Sequence, residues 1–451
     1  MQQPILYKSS SCNQYSIFGR FVSVFLLATM VAFSQDKPSL DLRIKPYRDN
    51  AIYGTDDKRI GYTIKLRNTI ADNLRGIIYL DVKNTFGQSI HHENIDVFAP
   101  PNGSFFKNLD LDNSKFLPGF YKVSMAIITN HINQTNTYAF AINPEKIPPA
   151  SYRPANFSSF WNDAKRELVN IDPSYQITRR GDVSTINTDV FLVEFISINN
   201  TKIRGWLTVP KGKGKYPVLY RLPGYANTAQ PEIRNDLAVF AIDVRGIGNS
   251  ADVQKLTYDN YITTGLTSNQ TYIFKAVYMD CLRGLDFLFT HPDLKLDTNK
   301  IIVKGQGQGA ALAAVIVGLD GRKVKGIIME RPMLIDMRTV FANGETQTVT
   351  PWPVNTLKSY FNSDKLTLDN FFKTWDYFDA LNFATQIKCP VLIGVLLKST
   401  LSPPQCAYNF FNQVLGLRRE VYACPDNADN MDAPYYVFEN NWTRETIRLP
   451  N

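Results

Sequence analysis

Three glycines at alternate positions, Gly305, Gly307 and Gly309, punctuate the run "IIVKGQGQGAALAA" between an apolar strand-like segment and an alanine-rich helix start. Two kinds of chemistry use glycines spaced in this way. A G-x-G-x-x-A turn, here Gly305, Gly307 and Ala310, lets backbone N–H groups cradle a phosphate at a helix N-terminus, and Glu330 closes the next strand near where a ribose-binding acid would belong. A G-x-S-x-G turn instead presents a serine at a strained strand-to-helix junction, the nucleophile elbow of acyl transfer. In this chain the serine's place is taken by Gly307.

Position along the chain separates the two readings. A dinucleotide turn follows the first strand of its α/β unit, whereas several strand-like runs and a long helical stretch precede Gly305. The elbow reading therefore stands, and it demands partners in the order nucleophile, acid, histidine. The chain has four histidines, His91, His92, His131 and His291, and all of them lie before Gly307. No histidine follows the elbow to act as its base.

The elements that must position such a turn are legible around it. Runs such as "IRGWLTVP", "PVLYRL", "LAVFAIDV", "IIVKG", "KGIIME", "PVLIGVLL" and "EVYAC" alternate with helical stretches such as "YIFKAVYMDCLRGLDFLF" and "AYNFFNQV". Several are apolar on both faces, which predicts a mostly parallel sheet with helices on both sides over residues 156–451. Ahead of it, residues 35–143 alternate with period two, as in "GFYKVSMAI", and are separated by turn signals such as "NTFGQ" and "LPGF". That pattern predicts an immunoglobulin-like β-sandwich. Adjacent His91 and His92 would point to opposite faces of its strands, so no shared metal is expected there. The proline-rich stretch at residues 144–155, which includes "KIPPASYRP", reads as a stiff linker, and "KGKGK" from Lys211 as a solvated hairpin.

Residues 1–34 read as a signal peptide, with Lys8 and Arg20 ahead of the apolar run "FVSVFLLATMVAFS" and small residues Ala32 and Ser34 at its end. Export to the periplasm, cell surface or medium is the expectation. A composition of 44% hydrophobic and 20% charged residues excludes a disordered or fibrous chain. The formal charge of +8 is scattered over the sequence, so a nucleic-acid partner is not expected. Cys281, Cys389, Cys406 and Cys424 follow the leader without a C-x-x-C pair, and an exported compartment permits a disulfide whose partners the spacing does not choose.

The flanking motifs carry a resemblance. "NFSSFWNDAKREL", with Phe157, Phe160 and Trp161, then "LPGYANT", "AVFAIDVRGIGNS", "GQGQGAALA", "RPMLIDMR", "YFDALNFA" and "PVLIGVLLKSTLSPP" resemble, in order, the acetyl xylan esterase and cephalosporin C deacetylase family of carbohydrate esterases. The resemblance covers the α/β region and implies an α/β-hydrolase fold that needs no cofactor. It also implies a serine at Gly307, an aspartate at Ser399 and a histidine at Asn427, so all three triad positions are degenerate. The family's oxyanion-hole donors correspond to the backbone N–H groups of Tyr225 and Gln308, although Pro223 replaces the histidine of the family's loop.

Together these observations predict an esterase-derived protein without esterase chemistry, binding acetylated or plain glycans or acting as a scaffold for other exported proteins, and able to form homo-oligomers. The alternative is a carbohydrate acetylesterase with displaced residues, Ser399 or Ser402 as nucleophile and Asp426 or Lys398 as base. Trp352, Trp375 and Tyr377 are candidates for sugar-stacking faces, with Trp352, in the proline-flanked "TPWPVN", the better candidate for a pocket wall, whereas Tyr377 and Phe378, inside "YFDALNFA", are expected in the core.

Overall fold

The computed structural model describes residues 41–252, 256–345, 350–364 and 366–449, and the expected signal peptide lies outside them. Leu40–Asn451 constitutes one compact unit. Its first part is all-β: β1 (Asp41–Pro46), β2 (Ile52–Tyr53), β3 (Ile60–Arg67), β4 (Leu74–Asn84), β5 (Ser89–Ala99), β6 (Ser104–Leu111), β7 (Gly119–Thr129) and β8 (Asn133–Ile142). They pair as a three-stranded sheet, β1-β3-β6, and a five-stranded sheet, β2-β8-β7-β4-β5. The alternation noted in the sequence buries one face of each sheet, and Tyr62 on β3 meets Tyr138 and Phe140 on β8 across the gap.

The second part is a single nine-stranded sheet. Its strands are β9 (Gln176–Arg179), β10 (Thr188–Ser197), β11 (Thr201–Pro210), β12 (Tyr216–Leu222), β13 (Ala238–Ile242), β14 (Leu296–Gln306), β15 (Gly326–Glu330), β16 (Val391–Leu396) and β17 (Arg419–Cys424). The order is β17-β16-β15-β14-β12-β13-β11-β10-β9, parallel from β17 to β13 and antiparallel beyond it. "KGKGK" joins β11 to β12, which β13 separates, so it is an exposed crossover and not the hairpin its composition suggested.

Helices α1 (Phe157–Val169), α2 (Tyr258–Tyr261), α3 (Ile273–Thr290), α4 (Gln308–Asp320), α5 (Met337–Glu345), α6 (Val354–Asp364), α7 (Leu368–Trp375), α8 (Pro404–Phe411) and α9 (Ala433–Ile447) complete the unit. Strand periodicity divides the core. Leu219, Val239, Ile302, Ile328 and Leu392 pack with Trp442 and Ile447 of α9, while their immediate neighbours Val218, Tyr220, Val303, Ile327 and Ile393 join α3 and α4 in the other cluster. The sheet is thus covered on both faces. The crossover from β12 to its parallel neighbour β13 carries no helix, and an open cavity of about 820 Å³ lies along it at the strands' C-terminal ends.

The aromatic motif of α1 has a packing reason. Phe157, Phe160 and Trp161 are buried against Tyr377, Phe378 and Phe383, and the Trp161 indole donates to the Tyr377 carbonyl at 3.1 Å. The proline-rich segment is strapped down at its near end. Asn412 donates to the carbonyls of Pro144 and Ile147, and Gln413 to that of Ala150. All four cysteines of the described residues are free thiols.

One carboxylate organises the loop that follows β15. Buried Asp379 accepts from the backbone N–H groups of Asp336, Met337 and Leu381 and from the Trp375 indole, at 2.8 to 3.1 Å. Burial, and then neighbouring Asp336, push its pKa up to about 7 against the pull of those N–H donors. An acid raised in the folded state contributes stability that is fully present below its unfolded pKa of about 3.9 and is lost as pH rises through the folded value. Urea unfolding should accordingly show wild-type stability falling between about pH 4 and pH 7. In Asp379→Asn, which is less stable throughout because an amide nitrogen must face these donors, that slope should flatten.

Candidate functional site

The elbow lies where β14 ends. Gly307 has φ 57° and ψ −118° and caps α4, so the chain turns sharply from strand to helix there. A positive φ with that ψ is costly for any residue carrying a Cβ, by about 1–3 kcal/mol, and glycine is free of the cost. The flanking glycines answer a different demand. A Cβ on Gly305 would stand 2.0 Å from the Gly309 carbonyl, and one on Gly309 would stand 2.4 Å from the Leu222 carbonyl oxygen. Strand, helix and the loop after β12 therefore touch backbone to backbone.

Around Gly307 the loop after β15 closes in. The Gly307 N–H donates to the Glu330 carbonyl at 2.9 Å, and the Met333 N–H donates to the Gly307 carbonyl at 3.1 Å. The Met333 thioether sulfur lies 3.2 Å from where a Cβ on Gly307 would be, so a side chain there would press on a flexible methionine, which would have to give by a few tenths of an ångström. Three non-glycine residues of this loop, Arg331, Leu334 and Asp336, have positive φ. Each costs of the order of 1–2 kcal/mol, and such strain persists where surroundings over-determine it. Here the pins are Asp379, the Ser402 hydroxyl donating to the Pro332 carbonyl at 2.7 Å, and Asn409 donating to the Asp336 carboxylate.

The remaining expected positions fall as follows. The Tyr225 and Gln308 backbone N–H groups flank the turn, and neither has an acceptor among the described residues. The Gln308 side-chain amide is buried and likewise unpartnered. The Tyr225 hydroxyl is spent on the Tyr258 carbonyl and the Ile262 N–H, and its ring lies 4.6 Å from that of Trp352. Trp352 is thereby a buried support of the Tyr225 loop. Trp375, Tyr377 and Phe378 are core residues.

Ser399 follows β16, and its hydroxyl oxygen accepts from the Ser402 N–H at 3.1 Å, closing a local turn ahead of α8. Asn427 lies half-buried in the loop between β17 and α9 and makes no recorded bond to Ser399 or to the elbow. Lys398 sits over the Tyr138 ring at 5.1 Å, and burial lowers its pKa. Asp426 acts electrostatically on Lys398 and on Tyr62 and Tyr138. The two-sheet region thus packs against the loop that the resemblance assigns to the acid, and Asp426, beside the position assigned to the base, lies within electrostatic reach of it. His291 caps the C-terminus of α3 before β14 begins, its Nδ1 against the Phe287 carbonyl, at the opposite end of β14 from Gly307.

The cavity beside the helix-free crossover is lined by compensated charges. Arg221 pairs with Glu232, and Lys304 with Glu439, while Glu330 reaches the Tyr436 hydroxyl at 3.5 Å. No group of three or more metal-ligating side chains occurs among the described residues.

A parallel-centred sheet flanked by helices, with a tight strand–turn–helix at its fourth parallel position, defines an α/β-hydrolase-type scaffold. The chain belongs to the acetyl xylan esterase (AXE1) family, whose pattern matches residues 144–443. The acetyl esterase Axe7A of Xylanibacter ruminicola is 28% identical over 313 residues, which span 66% of this chain and 68% of that protein. Among solved structures, the acetyl xylan esterase from Paenibacillus sp. R4 superposes with a TM-score of 0.59 at 25% identity, covering 67% of this chain and 98% of the other. Acetyl xylan esterase 1 from Thermoanaerobacterium sp. JW/SL YS485 has the same fold, at 22% identity and a TM-score of 0.59, with 67% and 97% covered.

Sequence reasoning did not find Met333. Its motif "RPMLIDMR" was noted, yet nothing local marks which side chain meets a turn 26 residues earlier. Gly307→Ser should lower stability by about 1–2 kcal/mol, chiefly through its positive φ. Part of that loss should return in the double variant with Met333→Ala, and urea denaturation of the four proteins in the cycle measures the coupling.

Proposed function

We propose that this protein is an exported, catalytically silent member of the acetyl xylan esterase family that uses the inherited scaffold to hold acetylated or plain glycans, or to bind other exported proteins. The observation that carries the reading is the elbow itself: a glycine at the attacking position, with the Met333 sulfur against the place of the missing Cβ. Acyl transfer needs an activated nucleophile and a base within hydrogen-bond reach. Gly307, Ser399 and Asn427 supply none of these groups. The Tyr225 and Gln308 N–H groups keep the capacity to hold a carbonyl oxygen, so an acetyl group could dock without being cleaved. The all-β part is read as an immunoglobulin-like sandwich that blocks the acid and base loops, and residues 1–34 as the leader that exports the chain.

One observation favours a second reading. Lys398, whose pKa burial lowers, neighbours Ser399, and a serine with a lysine base is a known variant of the triad. Against it, the Ser399 oxygen accepts from its own loop and the Ser402 hydroxyl donates to Pro332.

Hydrolysis of 4-nitrophenyl acetate and acetate release from acetylated xylan separate the two, with an active family member as control. No turnover above background is expected, together with retention on acetylated xylan in affinity electrophoresis if glycans are the partner. Turnover that disappears in Ser399→Ala, Ser402→Ala or Lys398→Met would overturn silence in favour of the displaced-residue esterase.

A further inference from the structure

Where the two-sheet region meets the α/β region, the β4–β5 turn and the start of β7 face the loop after β16 across a cavity of about 140 Å³. Phe120, Leu397, Pro403 and Pro404 supply apolar wall, and Lys83, Lys122, Ser399, Thr400 and Gln405 supply polar wall. No aspartate or glutamate lines it. Most of the polar groups are already committed. The Thr85 hydroxyl donates to the Phe120 carbonyl at 3.1 Å, the Tyr121 hydroxyl to that of Leu117 at 2.7 Å, and the Gln405 amide to the Asn409 side chain at 3.2 Å. Lys83 has Asp81 at 3.3 Å.

Three donors are left over. Lys122 stands at the solvent-exposed rim of the cavity and has neither an ion pair nor a hydrogen bond among the described residues. The Thr400 hydroxyl is unpaired. Ser399 is 7% exposed, and its oxygen accepts from Ser402 while its own proton has no acceptor among the described residues. A cation at the rim and two hydroxyl donors, beside apolar side chains and with no carboxylate in the lining, suit an anionic acceptor carrying a short apolar body. The volume compares with that of a cavity of about 150 Å³ able to hold benzene, so a ligand of about six heavy atoms fits.

We propose that this interdomain cavity is a binding site for a short-chain monocarboxylate, of acetate to butyrate size, with its carboxylate against Lys122, Ser399 and Thr400 and its alkyl chain against Phe120 and the two prolines. Such a ligand touches both regions at once and clamps the sandwich to the loop after β16. Binding there is independent of any chemistry at Gly307.

Isothermal titration of sodium butyrate into the full-length protein, at ionic strength held constant with chloride, tests this. Saturable binding with a Kd of the order of 1 mM is expected for so small a ligand. Lys122→Met should weaken it at least about tenfold, the loss expected for a charge-assisted hydrogen bond. Ser399→Asp, which brings its own carboxylate to the lysine, should abolish it. Thr400→Val provides a milder variant should either of these fail to fold, and should weaken binding several-fold. Absence of saturable heat, equal binding in wild type and Lys122→Met, unchanged binding in Thr400→Val, or inorganic phosphate binding as tightly as butyrate would overturn the proposal.

Discussion

The backbone contact between Gly309 and the Leu222 carbonyl is the constraint from which the rest of the site follows. It brings the N-terminus of α4 against the loop after β12 with no side chain between, and the equally close approach of Gly305 to Gly309 folds the strand end back onto the helix. A Cβ at either flanking glycine would force strand and helix apart. Gly307 is different: nothing but a flexible methionine opposes a side chain there, so its glycine answers backbone conformation and not crowding.

Beside this turn the structure carries strain in one place and relief in another. The loop from Arg331 to Asp336 holds three non-glycine residues at positive φ, and it is anchored by Asp379, Ser402 and Asn409. What those anchors deliver is the Met333 side chain at the elbow. A loop so firmly determined is a poor candidate for an opening lid, which fits a pocket whose contents need not turn over.

Much of the architecture was legible because its signals are local. The strand from Ile301 and the helix after Gly307 announce themselves by apolar runs and small residues, and the histidine count bears on the chemistry without any coordinates. The misreadings arise where long-range packing decides. "KGKGK" has hairpin composition, but the insertion of β13 between β11 and β12 makes it a crossover. For the proline-rich segment, which reads as a stiff linker, long-range packing adds what composition does not show: Asn412 and Gln413, more than 260 residues away, bind its carbonyls. The seating of the two-sheet region on Lys398 and the loop after β16 rests on pairs such as Phe120 with Tyr408, which no periodicity links. Asp379 is an intermediate case: a carboxylate inside "YFDALNFA" is conspicuous, although its four donors are not.

The proposed absence of an activated nucleophile is tested most directly by intact-protein mass after exposure to a serine-reactive fluorophosphonate. An unchanged mass is expected, since Gly307 has no hydroxyl, the Ser399 oxygen accepts from the Ser402 N–H and the Ser402 hydroxyl donates to the Pro332 carbonyl. A stoichiometric adduct that maps to Ser399 or Ser402 would contradict the silent-scaffold reading.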